Sequence, residues 1–148
     1  MLSAVLDATI LVSAFLTPHG LAAQLLSAAR QGDFVLFLSE QILAETQEVL
    51  LDREHIRKRY SYTDEQAARF CRALRSAVHL VTHLPEVSGV VRDPTDDQVI
   101  ACALAAAARY LVTRDPDLLT LGVYQDVQMI TPEAFMHLVR EESHRTKH

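Results

Sequence analysis

Short apolar runs punctuate this chain, and each is followed by residues whose apolar positions recur at helical spacing. The runs are Leu2–Leu6, Phe34–Leu38, Val78–Thr82, Tyr110–Thr113 and Val127–Ile130. Runs this short and continuous suit strands covered on both faces, as in a parallel sheet. Thr9–Leu16 and Leu21–Arg30 read as helices broken by Pro18 and Gly20, with Gly32 as the C-cap of the second. Ser39 is placed to cap a helix in which Ile42, Leu43, Thr46, Val49 and Leu50 share one face. Glu48 points away from that face. Glu45 sits at its border and can look toward the sheet edge.

Thr63–Gln66 reads as a capping box, opening a helix with Ala67, Phe70, Cys71 and Leu74 inward and Arg69, Arg72 and Arg75 outward. Pro85–Val91 is a loop, and Val99–Ala108 an almost wholly apolar helix. Asp117 is expected to cap a short turn through Leu121. Thr131 and Pro132 supply an N-cap and a first helical position for a helix carrying Phe135, Leu138 and Val139. This alternation of strands and helices implies an α/β fold with helices on both faces of a parallel sheet. Residues 1–140 form a single domain in this reading, and 141–148 a polar, frayed tail.

Ligands bind such sheets outside the carboxyl ends of the strands. Asp7 and Asp115 stand at two of those ends. The helix after Asp97 runs against the strand before Asp115, which returns its start to the same edge. Glu45 reaches that edge too, with Asp93 and Asp96 close by. Taken singly, each acid also suits a cap or an exposed surface position. Together they form a carboxylate group that repels itself unless a cation intervenes, and hard divalent ions take all-oxygen ligands. Such an ion activates water and offsets charge on a phosphate under attack.

The net charge of −5 excludes a global field that draws nucleic acid, so any such binding needs a local basic patch. Asp52–Tyr62 offers one, with Arg53, Arg57, Lys58, Arg59 and Tyr60 as candidate RNA contacts. The 49% apolar content rules out a disordered chain. Cys71 and Cys102 are far apart and read as buried free thiols, as a reducing cytoplasm permits. No run reaches the ~18 apolar residues of a membrane helix, and no secretion signal is expected, because Asp7 interrupts the first apolar stretch. With 4 glycines the chain holds neither G-x-G-x-x-G nor a P-loop.

The motifs occur in a familiar order: Val5–Asp7 with Ile10–Ser13, Ser39–Glu45 with Val49 and Leu50, Arg92–Asp97 ahead of Ala103 and Leu104, and Leu111–Asp115 with Leu118 and Leu119. In this the chain resembles the PIN domain, most closely the toxin components of type II toxin–antitoxin systems (VapC-like ribonucleases). The resemblance implies a three-layer α/β/α sandwich around a parallel sheet of about five strands. It implies Asp7, Glu45, Asp97 and Asp115 as catalytic acids, with Asp7, Asp97 and Asp115 holding Mg²⁺ or Mn²⁺. Asp97 is preferred to Asp96 because it stands three residues before Ile100. Thr9, Asp96 and Thr113 are supporting residues; Ala8 stands where the family often has a hydroxyl residue. The expected activity is metal-dependent RNA hydrolysis by a cytoplasmic homodimer held in check by an antitoxin protein, with no membrane partner. The alternatives are a catalytically weak or inactive PIN-like RNA- or protein-binding module and, remotely, a receiver-like phospho-acceptor domain. The receiver needs a lysine after its last core strand, and the lysines here are Lys58 and Lys147.

Overall fold

The structure, a computed structural model, describes residues 1–146. Its elements in order are β1 (Ser3–Leu6), α1 (Ala8–Leu16), α2 (Leu21–Arg30), β2 (Val35–Ser39), α3 (Glu40–Asp52), α4 (Glu54–Arg59), α5 (Asp64–Ala77), β3 (His79–Val81), α6 (Pro94–Ala106), β4 (Tyr110–Val112), α7 (Pro116–Leu121), β5 (Val123–Tyr124), β6 (Val127–Ile130) and α8 (Pro132–Thr146). The sheet order is β3-β2-β1-β4-β6-β5, parallel except for β5, which pairs antiparallel with β6.

The chain steps from β1 outward to β2 and β3, then returns across the sheet to β4 and β6. Right-handed crossovers therefore place α1 to α5 on one face and α6 and α7 on the other, a three-layer α/β/α sandwich. Helix α6 packs across β1, β2, β3 and β4, and α2 packs against α8. Burial follows strand position. Tyr110, Leu111 and Val112 on central β4 are all buried, whereas edge strand β3 buries only Val81. Phe34 and Phe135, both fully buried, meet edge to face at 4.9 Å and tie the start of β2 to α8.

Several expectations need correction. The basic stretch, given no element by its pattern, folds as a separate short helix, α4. Strand β5 escaped the pattern because a two-residue strand with exposed Val123 carries no periodic signal. Asp115, not Asp117, caps α7: its carboxylate accepts from the Asp117 N–H at 2.8 Å, and Pro116 takes the first helical position. Helix α6 starts at Pro94, five residues before Val99, because Asp93 caps it and accepts from the Thr95 N–H at 2.9 Å. The expected polar tail is helical through Thr146 as the end of α8; Lys147 and His148 lie outside the described residues.

Candidate metal centre

Strands β1 and β4 are neighbours at the point where the chain direction across the sheet reverses. Their register sets Leu6 beside Val112, and the Asp7 N–H donates to the Val112 carbonyl at 3.3 Å. The residues just beyond, Asp7 and Thr113–Asp115, are thereby locked side by side at the carboxyl edge. Asp7 is also the N-cap of α1, with Oδ1 accepting from the Ile10 N–H at 3.0 Å. Its Oδ2 accepts from the Thr113 hydroxyl at 2.5 Å, and that hydroxyl oxygen accepts from the Asp115 N–H at 3.0 Å. One buried threonine thus holds the Asp7 carboxylate and the main chain at Asp115.

Burial raises the pKa of Asp7, with the Asp115 charge adding to it, against the opposing bonds from Thr113, Ile10 and the Thr9 backbone. Thr9 serves through its backbone N–H, while its side chain is exposed. Ala8 is buried and offers no polar group.

The acid that α6 delivers to this edge is Asp96. Burial first, then the charges of Asp115 and Asp93, hydrogen bonding to Asp115 and the charge of Asp7 push its pKa up to about 7. Its Oδ2 is buried without a donor. Two ionised carboxylates are acceptors only, so the contact between Asp96 and Asp115 becomes a hydrogen bond only if a proton is shared. Glu45, half-buried on α3, joins the group: burial, then the charges of Asp7 and Asp93, raise its pKa, and Arg53 acts against them.

Asp97 does not join it. Successive helical residues point about 100° apart, and Asp97 turns under the loop before α6. There it accepts from the Gly89 N–H at 3.0 Å on Oδ2 and from the Val91 N–H at 3.2 Å on Oδ1. It is 4% exposed, and both oxygens are engaged. The choice of Asp97 by its spacing to Ile100 therefore picked the residue on the core side of α6. The pair Asp93–Pro94 is the signal that could have corrected it. A cap followed by proline starts the helix there and puts Asp96 and Asp97 on different sides of the first turn.

The acids are thus Asp7, Glu45, Asp93, Asp96 and Asp115, all oxygen donors suited to a hard divalent ion. No group of three His, Cys, Asp or Glu side chains among the described residues already stands in ligand positions. Mg²⁺ is commonly held by one or two carboxylates with waters completing the shell, and the buried Asp96 Oδ2 has no hydrogen-bond partner of its own. The residues present suit the ion in chemistry and charge.

The candidate RNA contacts divide. The Arg57 guanidinium donates to the Leu50 and Leu51 carbonyls at 3.2 and 3.5 Å, pairs with Asp64 at 2.6 Å and lies over the Tyr62 ring. It clasps α4 to α3 and α5 and is not free for phosphate. Lys58 pairs with Glu54 at 3.4 Å, and Arg59 lies over the ring of Tyr60. Arg53, at the α3–α4 junction, is exposed and reaches the acidic edge electrostatically through Glu45. The outward arginines of α5 are committed within the chain, Arg69 and Arg72 to Glu65 and Arg75 to Glu40.

A family model described as PIN domain matches residues 3–117. Among solved structures, the chain is similar to one described as VapBC2 from Rickettsia felis bound to a DNA fragment from their promoter. The two share 16% identity at a TM-score of 0.59, over 88% of this chain and 98% of that one. Comparison with curated proteins gives no match.

Proposed function

Because this chain belongs to the PIN domain family, whose members are generally nucleases, we propose that it is a metal-dependent ribonuclease and the toxin of a toxin–antitoxin pair. The observation that supports this best is the buried oxygen of Asp96 that has no hydrogen-bond donor, on an acid surrounded by the charges of Asp115, Asp93 and Asp7. Asp7, Asp96 and Asp115 would hold Mg²⁺ or Mn²⁺, with Glu45 directly or through water. When bound, the ion supplies an activated water and charge stabilisation for an in-line attack on a phosphodiester.

The chain's own residues do the rest. Thr113 fixes the direction of the Asp7 carboxylate and holds the main chain at Asp115. Glu45, its carboxyl raised by burial and by its acidic neighbours, can hold a proton at the site. Arg53 supplies positive charge beside Glu45, and Lys58, Arg59 and Tyr60 on the adjoining α4 segment offer further charge and a ring for an unpaired base. An antitoxin partner is supported by the likeness to VapBC2 from Rickettsia felis. A homodimer and a cytoplasmic location complete the proposal; no single helix among the described residues is long and apolar enough to cross a membrane.

The test is cleavage of single-stranded RNA with Mn²⁺ or with chelator, by wild type and by Asp96→Asn. Cleavage that needs Mn²⁺ and is lost in the variant is the expected result. Equal cleavage in chelator, or full activity in Asp96→Asn, would sink the proposal. A second reading, a PIN-like binding module without activity, is favoured by the lack of three ready-placed ligands among the described residues. Under it, calorimetric titration with Mn²⁺ gives no heat at the site while RNA still binds.

A further inference from the structure

We infer that Asp97 is a positioning residue whose carboxylate latches residues 84–93 to the first turn of α6 and thereby sets where Asp93 and Asp96 stand. The latch itself is independent of the nuclease reading; that it serves a metal site rests on that reading.

The segment between β3 and α6 has little else to hold it. Among the described residues, the hydrogen bonds made by residues 83–92 are the two that Gly89 and Val91 donate to Asp97. Leu84, Val87, Val90 and Val91 add partly buried apolar packing, which is non-directional and leaves the loop's register open. Gly89 stands at φ +70°, a backbone region that glycine enters without strain, next to one donor of the pair.

A buried carboxylate is costly unless it is hydrogen-bonded. Here two N–H donors converge on its two oxygens, and the positive end of α6 lies beside it. The amide of an asparagine offers one acceptor and would turn its NH₂ toward the second donor. The geometry therefore calls for an acid, although Asp97 faces away from the acidic edge. The same turn of helix ties both sides together. The N–H groups of Asp96 and Asp97 donate to the Asp93 carbonyl at 3.0 and 3.4 Å. A loop released from Asp97 would carry Asp93 with it and loosen the start of the helix that presents Asp96.

The experiment is amide hydrogen exchange on the metal-free chain, paired with calorimetric Mn²⁺ titration, for wild type, Asp97→Asn, Asp96→Asn and Val91→Pro. The last removes one loop donor and leaves Asp97 in place. In Asp97→Asn the Gly89 and Val91 amides should exchange at least about tenfold faster while the Leu111 amide keeps its rate. Its Mn²⁺ affinity should fall about tenfold without being lost, the size of an indirect effect. Val91→Pro should speed Gly89 exchange and weaken Mn²⁺ in the same way. Asp96→Asn should lose Mn²⁺ binding with Gly89 and Val91 exchange unchanged. Unaltered loop exchange in Asp97→Asn would overturn the latch. Loss of Mn²⁺ as complete as in Asp96→Asn would overturn it too, by making Asp97 a direct ligand. If wild type binds no Mn²⁺, the exchange rates still decide the latch, and only the metal-site reading fails.

Discussion

The Thr113 hydroxyl donates a 2.5 Å hydrogen bond to Oδ2 of Asp7, joining residues 106 apart in sequence. Both are buried, and the Thr113 hydroxyl oxygen in turn accepts the Asp115 N–H. Thr113→Val keeps the shape and removes the donor, leaving a buried carboxylate oxygen and the Asp115 N–H unpaired. The expected loss is about 1–3 kcal/mol of unfolding free energy, measured by urea denaturation, with Thr113→Ser restoring most of it. A valine variant as stable as wild type would show that the bond is not made.

Asp96 gives the metal-free protein a pH dependence whose sign can be worked out. Its folded pKa of about 7 lies above the ordinary 3.8, so between those values the native state holds a proton that the unfolded chain has lost. Stability from this group is full below the lower value and is lost as pH rises through the upper one. Asp96→Asn removes the dependence. In chelator, the variant's Tm should match wild type near about pH 4 and exceed it near about pH 8. Adding Mn²⁺ at the higher pH should raise the wild-type Tm more than the variant's. A Tm difference independent of pH would contradict the crowding of carboxylates around Asp96.

Arg57 was a candidate RNA contact in the sequence, but its bonds assign it a structural task. Arg57→Ala should cost about 1–2 kcal/mol, since it strips the Leu50 and Leu51 carbonyls of a donor and leaves Asp64 alone. Arg53→Ala should change stability by no more than about 0.5 kcal/mol. If RNA binds this edge, Arg53→Ala should weaken it in a salt-dependent manner. Denaturation and fluorescence anisotropy with a labelled RNA separate the two. Weakened RNA binding in Arg57→Ala at unchanged stability would refute the division.

Phe135 anchors α8 to the sheet. It is fully buried, 4.9 Å from the Phe34 ring and 5.6 Å from that of Tyr110. Phe135→Ala should destabilise by about 3–5 kcal/mol through lost burial and a cavity. A cost below about 1 kcal/mol would mean that α8 docks without this contact. The substitution lies away from the acidic edge, so any loss of Mn²⁺ affinity should follow unfolding.

The sequence by itself determined the alternation of strands and helices, the parallel sheet, and the edge to which Asp7, Glu45 and Asp115 are brought. These follow from local periodicity, caps and handedness, all of which are written in neighbouring residues. Ser39, Thr63 and Thr131 were readable as caps because each bonds an N–H three residues on. Only the tertiary structure decided between Asp96 and Asp97. Two adjacent acids on one helical turn look alike in composition and differ by the direction in which each side chain leaves the axis. Which direction meets the β1 and β4 ends, and which meets the Gly89 and Val91 N–H groups, depends on how α6 is rotated against the sheet. The same holds for Arg57, whose partners on α3 and α5 exist only after those helices pack. Charge on a side chain is a property of the sequence; what that charge faces is set by the packing of segments distant along the chain.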